Sequence, residues 1–197
     1  MFSGIIEEVG VVSDITDLTS SKKISVGCQK VIDGVATGDS ISINGVCLTV
    51  VDINKTGFRA DIVKETLYKT NLDSLEVGSK VNLERSLQYN QRVGGHLVQG
   101  HIDTTGKIVD VNKTDEWTEI FIELDEYFKK YCIYKGSISI DGTSLTIADI
   151  DKNKIKVALI PHTLEHTISS GYSKGQSVNI ETDMNAKYIE NFSKEAQ

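Results

Sequence analysis

Residues 40–53, Ser-Ile-Ser-Ile-Asn-Gly-Val-Cys-Leu-Thr-Val-Val-Asp-Ile, return at 137–150 as Ser-Ile-Ser-Ile-Asp-Gly-Thr-Ser-Leu-Thr-Ile-Ala-Asp-Ile, with nine of fourteen positions identical and every pair 97 residues apart. The register continues without a gap: Thr66-Leu67 matches Thr163-Leu164, Thr70 matches Thr167, Gly78 matches Gly175, and Val81-Asn82 matches Val178-Asn179. Solenoid repeats run about 20 to 50 residues, so a period this long means two tandem copies of a whole domain. A chain of 197 residues divides into two such copies, each just under a hundred residues and each able to bury a modest core. The polar stretch Gln88–Gly95, ending in two glycines, marks the boundary. The expected division is 1–96, 97–184, and a tail at 185–197 without a counterpart in the first copy.

Within each copy, short runs alternate with period two, as in Ser40-Ile41-Ser42-Ile43, Lys80–Glu84, Glu119–Glu123 and Lys154–Ile160, which reads as half-buried strands. Turn signals interrupt them, and Asn44-Gly45 and Asp141-Gly142 are dipeptides suited to the positive φ angles of tight hairpins. Many short strands with few helical patterns favour closed or Greek-key barrels, because closure removes exposed sheet edges. Four segments read as helical: about Glu65–Asn71 and its partner His162–Ile168, Glu126–Cys132, and Asn185–Lys194. In the last, Tyr188, Ile189 and Phe192 form an apolar stripe that needs a surface to pack on, either its own barrel or another subunit.

The opening Met-Phe-Ser-Gly-Ile-Ile-Glu-Glu lacks a basic region followed by an apolar one, and no apolar run approaches the roughly 18 residues of a membrane span. A soluble, unprocessed, cytoplasmic protein with no membrane partner is expected. Cys28, Cys47 and Cys132 are odd in number and irregularly spaced, so neither a disulfide framework nor a zinc site is suggested. A net charge of −7 without a basic run opposes nucleic-acid binding.

The Met1–Glu7 opening, Asn44-Gly45-Val46-Cys47-Leu48-Thr49-Val50, the junction Gly94-Gly95-His96-Leu97-Val98-Gln99-Gly100-His101, and Asp141-Gly142-Thr143-Ser144-Leu145-Thr146-Ile147 together closely resemble the riboflavin synthases of the lumazine-binding superfamily. The match spans the whole chain with motif order kept. The resemblance implies an all-β fold of two tandem six-stranded Greek-key barrels with a C-terminal α-helix, and a homotrimer held partly by those helices. It also implies a cofactor-free transferase reaction, the last step of riboflavin biosynthesis. Two molecules of 6,7-dimethyl-8-ribityllumazine per site exchange a four-carbon unit, giving riboflavin and 5-amino-6-(D-ribitylamino)uracil. The site forms where the N-terminal barrel of one subunit faces the C-terminal barrel of its neighbour. The alternative is a lumazine protein, a non-catalytic antenna of the same fold that binds one lumazine or flavin in its N-terminal barrel. Such binders tend to lose the polar residues of the second copy, and here His101, Ser144, Thr146 and Asp183 are present.

Donor and acceptor roles require differences between the copies. Cys47 faces Ser144, Glu65 faces His162, Ser86 faces Asp183, and Ile5 faces His101 with the offset one shorter. The 7-methyl of the lumazine yields a carbanion delocalised into the ring, so a moderate acid or base suffices, and His101 is the expected proton handler in the C-terminal pocket. Cys47 with Thr49, and Ser144 with Thr146, lie two apart on a strand and share a face, lining each pocket with two small polar groups. A covalent role for Cys47 needs an electropositive neighbour that the sequence does not show nearby, so binding and polarisation are its expected roles. The catalytic set is therefore His101, Cys47, Ser144 and Asp183, with no metal. The family pattern adds Gly4, Ile6, Thr66 and Ile102 around one or other pocket, with Lys135, Ile160 and Thr163 in the second. His162 stands where that pattern carries glutamate. His96 reads equally as structural or functional, while Cys28 and Cys132 read as packing residues.

Overall fold

A computed structural model describes residues 1–195, and of the expected tail 185–197 the last two residues lie outside the described ones. The first copy supplies β1 (Glu8–Asp17), β2 (Ser21–Gly27), β3 (Ser40–Ile43), β4 (Val46–Asn54), β5 (Gly57–Val63) and β6 (Lys80–Arg85). The second supplies β7 (Thr104–Lys113), β8 (Thr118–Glu123), β9 (Ser137–Ile140), β10 (Thr143–Asp151), β11 (Lys154–Leu159) and β12 (Ser177–Thr182). Each set closes into an antiparallel barrel, the first in the order β1-β2-β5-β4-β3-β6 and the second in the equivalent circular order. Inward residues alternate with outward ones: Ile24, Val26, Ile41, Ile43, Phe58 and Leu83 fill the first core, and Ile108, Ile120, Ile122, Ile138, Ile155 and Ile180 the second. The hairpin turns match their sequence signals, with φ of 46° and 82° at Asn44-Gly45 and 44° and 82° at Asp141-Gly142.

The first three helices are shorter than their patterns, whereas the last extends one residue beyond its pattern at each end. α1 (Lys64–Lys69) and α3 (Pro161–His166) each stop at a threonine whose hydroxyl donates back to a carbonyl one turn earlier, Thr70 to Thr66 O and Thr167 to Thr163 O, both at 2.7 Å. The chain then tightens into a 3-10 turn. α2 covers only Glu126–Lys129, capped by the Asp125 carboxylate, and gives way to turns before Cys132. α4 (Met184–Glu195) is tied to the second barrel by polar contacts, with Glu190 accepting from Lys130 and Tyr131, and Lys187 paired with Asp103 at 2.7 Å. Its stripe of Tyr188, Ile189 and Phe192 remains exposed. Among the described residues no helix is long and apolar enough to cross a membrane.

The barrels meet across a local two-fold axis. The Asn44-Gly45 and Asp141-Gly142 turns sit back to back, so close that a Cβ on either glycine would lie 2.7 Å from the other's nitrogen. Asn82 donates to Asp141 O and accepts from Ile168 N–H, both at 2.8 Å, while Asn179 donates to Asn44 O at 2.8 Å and accepts from Asn71 N–H at 2.7 Å. The identity of Asn82 and Asn179 in the repeat thus has its reason in the other barrel's backbone.

Asp141 breaks the symmetry. Its fully buried carboxyl accepts from Asn179 N–H, the Asn71 side chain and the Tyr172 hydroxyl, whereas its counterpart is the neutral Asn44. Burial pushes the Asp141 pKa up to about 6 from 3.8, outweighing those three donors. A carboxyl raised in the folded state favours folding most below its unfolded pKa, and that contribution is lost as pH rises from about 4 to about 6. Asp141→Asn keeps the acceptor for Asn71 and Asn179 and turns an amide towards the Tyr172 oxygen. Urea unfolding at pH 4 and pH 8 should show the variant gaining about 2 kcal/mol on the parent over that interval. Equal pH dependence in both proteins would contradict a buried charge at this position.

Candidate active site

Strand alternation turns the two polar pairs outward. Val46, Leu48 and Val50 are buried in the first barrel, leaving Cys47 half-buried and Thr49 exposed. Thr143 and Ile147 are buried in the second, leaving Ser144 half-buried and Thr146 exposed. Cross-strand neighbours add hydroxyls on the same faces, Ser42 and Ser40 beside Cys47 and Thr49, Ser139 and Ser137 beside Ser144 and Thr146. The walls that carry the chemistry are therefore on the outside of the barrels.

Each wall is capped by a leading segment from the other copy. Phe2 and Val98, both buried, form an antiparallel bridge at the boundary, with N–H to O distances of 2.7 and 3.0 Å. From there the first segment passes over the second barrel, where Ser144 N–H donates to Gly4 O at 2.7 Å. The second segment passes over the first barrel, where Cys47 N–H donates to Gly100 O at 2.9 Å and Ile102 packs on the first core. Only glycine fits at these crossings, because φ is 74° at Gly4 and 80° at Gly100, and a Cβ would approach the Cβ of Ser144 or Cys47 to 2.6 Å.

This exchange corrects the expected position of His101. Rather than joining Ser144, it follows Gly100 on the segment laid against the first barrel, with its side chain exposed. The histidine at Ser144 is His96, whose Nδ1 lies 2.7 Å from Ser144 Oγ. Burial lowers the His96 pKa below 6.5, opposed by the Asp183 carboxylate. A base, a hydroxyl and an acidic group are thus assembled in the second site. The repeat carries no signal for His96, which precedes the first matched residue and has no counterpart.

Asp183 has a second role, accepting from Asn185 N–H at 2.9 Å where α4 begins, which accounts for serine at the matched position 86, where no helix follows. Asp183 also lines a cleft of about 430 Å³ with Tyr131, Ile133, Ala186 and Ile189. Lys135 stands near this region at φ 64°, where the first copy has Gly38 at φ 99°. Holding a side chain there costs on the order of 1 kcal/mol, a strain that presents a cation on the second barrel. Thr66 and Thr163 are half-buried at matched positions of α1 and α3, Ile160 is exposed just before α3, and Ile6 is half-buried beyond Gly4. Cys28 and Cys132 are buried, and burial pushes their thiols up to about 12 and about 11, as inert packing groups require. Among the described residues no three His, Cys, Asp or Glu side chains converge as metal ligands.

The lumazine binding domain family matches this chain twice, at residues 3–86 and 99–183. Riboflavin synthase of Bacillus subtilis is 41% identical over 98% of the chain and 89% of its own length. That of Actinobacillus pleuropneumoniae is 43% identical over the same shares, and that of Mycobacterium bovis 42% over the whole of both chains. Among solved structures, LumP complexed with riboflavin superimposes with a TM-score of 0.87 at 25% identity, covering 92% of this chain and 99% of that one. LumP complexed with 6,7-dimethyl-8-(1'-D-ribityl) lumazine gives 0.84 at the same identity and coverage. Two barrels with outward polar walls, each capped by the other copy, and kinship along the full length lead to one assignment: the chain belongs to the lumazine-binding family, among its riboflavin synthases.

Proposed function

We propose that this protein catalyses the dismutation of two 6,7-dimethyl-8-ribityllumazine molecules to riboflavin and 5-amino-6-(D-ribitylamino)uracil. The observation that carries the proposal is that both copies keep a polar outer wall, Cys47 with Thr49 and Ser144 with Thr146, within a chain over 40% identical to riboflavin synthases along its length. Two related walls suit two identical substrates, one giving and one receiving the four-carbon unit. The two products together contain every atom of the two substrates, so the balanced reaction consumes no oxidant or cofactor.

The first wall, with His101 beside it, removes a proton from the 7-methyl of the bound lumazine. In the second, Ser144 Oγ is equipped to add or donate at the ring carbon bearing that methyl, with His96 taking or returning its proton. Asp183 favours the charged imidazole. Lys135, Thr66, Thr163, Ile6, Ile102 and Ile160 hold the heterocycle and the ribityl hydroxyls. The active enzyme is a cytoplasmic homotrimer with no nucleic-acid or membrane partner. The exposed face of Tyr188, Ile189 and Phe192 on α4 supports a subunit contact, since an apolar stripe of this kind loses water on association.

The test is to incubate the purified protein with 6,7-dimethyl-8-ribityllumazine alone and follow both products by chromatography. One riboflavin and one pyrimidine for every two lumazines consumed is the expected stoichiometry. Tight binding of lumazine or riboflavin without turnover would move the chain to the non-catalytic antenna class.

A further inference from the structure

Two glutamates at matched positions of the repeat, Glu84 on β6 and Glu181 on β12, are almost completely buried, at 3% and 1% exposure. Neither forms an ion pair within 4.0 Å among the described residues. Instead, both oxygens of each accept from the chain's leading segments. Glu84 receives Ser3 N–H and Oγ–H at 2.8 Å and Gly4 N–H at 3.1 Å. Glu181 receives Gln99 N–H at 2.6 Å, Gly100 N–H at 2.9 Å and His101 N–H at 3.0 Å. Burial opposes ionisation of both carboxyls, while these backbone donors favour it. Successive main-chain N–H groups converging on one carboxylate form a rigid anion nest, with each hydrogen bond strengthened by the charge.

A segment held this way does not serve the barrel that holds it. The nest on Glu181 delivers Gly100 O to Cys47 N–H in the first barrel, and the nest on Glu84 delivers Gly4 O to Ser144 N–H in the second. His101 is itself the third donor of the Glu181 nest, so its backbone position is set by a carboxylate of the opposite barrel. We propose that Glu181 is a positioning residue for His101 in the first site and Glu84 for the Gly4 wall of the second, so that each barrel's last strand tunes the other barrel's site. The proposal rests on the dismutase reading, which gives both sites work to do.

The test measures steady-state turnover of 6,7-dimethyl-8-ribityllumazine by the parent, Glu181→Gln, His101→Ala and the double variant, with thermal unfolding alongside. An amide keeps one acceptor oxygen but turns its NH2 against the N–H donors of the other, either Gln99 or the pair Gly100 and His101, and loosens the segment. Since small misplacements of a reacting group cost up to about a hundredfold, Glu181→Gln should lower kcat about 10- to 100-fold with KM changed less than about threefold. In the His101→Ala background the same change should cost less than about twofold, because no imidazole is left to misplace. Losses that multiply would overturn the proposal and leave Glu181 a purely structural group. If Glu181→Gln does not fold, Glu181→Asp, which keeps the charge but withdraws it by one methylene, must show the same non-additivity. If the parent itself has no turnover, the dismutase reading fails separately. Fluorescence titration with riboflavin then decides: Glu181→Gln and Gly100→Ala must weaken the same class of site, and Glu84→Gln and Gly4→Ala the other. Weakening of both classes by every variant would sink the cross-barrel assignment.

Discussion

His101→Ala is expected to slow turnover of 6,7-dimethyl-8-ribityllumazine by about 10²- to 10⁴-fold, the usual loss when a positioned general acid or base is removed. Binding should weaken by less than about tenfold, because the ring contributes a proton route rather than a large contact area. The structure makes this a clean experiment. The His101 side chain is exposed, and its contribution to the fold is a backbone N–H donated to Glu181, which alanine retains. Ser144→Ala should behave alike in the second site, since its own N–H bond to Gly4 O also survives the change, while the hydroxyl facing His96 is lost. Single-turnover kinetics beside equilibrium fluorescence titration separate rate from affinity. Near-parental rates in both variants would remove these two groups from the chemistry and leave the walls as binding surfaces only.

Phe2→Ala should be the most damaging change outside the two walls. Phe2 is fully buried at the boundary, and its bridge to Val98 is the point from which both leading segments depart. Truncating a buried phenylalanine costs about 3–5 kcal/mol, part of it from the cavity left behind. Here the cavity would open beneath the two caps, because the ring lies near Gly100, where an added Cβ would come within 2.9 Å of Phe2 Cε2. The barrels have their own cores and ladders, so the caps should detach at a lower free energy than that of global unfolding. Turnover should therefore vanish at temperatures where far-UV circular dichroism still reports folded strands, and amide exchange at residues 98–101 should rise. Activity that persists until the strands melt would show that the caps are not anchored by this residue.

The parts of the molecule legible in the sequence are those fixed by neighbours along the chain. Period-two alternation located β3, β6, β8 and β11, and the two hairpin dipeptides located turns with positive φ at both central residues. Cys47, Thr49, Ser144 and Thr146 could be placed on shared faces because alternation is local, although whether those faces look in or out was not. The cap exchange was not legible, since nothing near residue 2 states that it pairs with residue 98. For that reason His101 was expected beside Ser144, while His96, which touches it, carried no signal from the repeat. Glu84 and Glu181 were hidden differently: the differences between the copies do not mark a position where both carry the same residue, although identity at buried charged positions marks a shared mechanical task.

The back-to-back turns at Gly45 and Gly142, with Asn82 and Asn179 each donating to the opposite turn, have the form of an isologous contact, in which the same patch serves both partners. Such a contact can exist between two separate copies of a single domain. Joining the copies in one chain replaces an encounter in solution by an intramolecular one, at an effective concentration set by the linker. Fusion also frees the halves from identity. A self-associating single domain must change both sides of its axis at once, whereas this chain carries Asn44 on one side and a buried acid, Asp141, on the other. An axis that would demand sameness of two separate identical chains is here a place where each half can specialise.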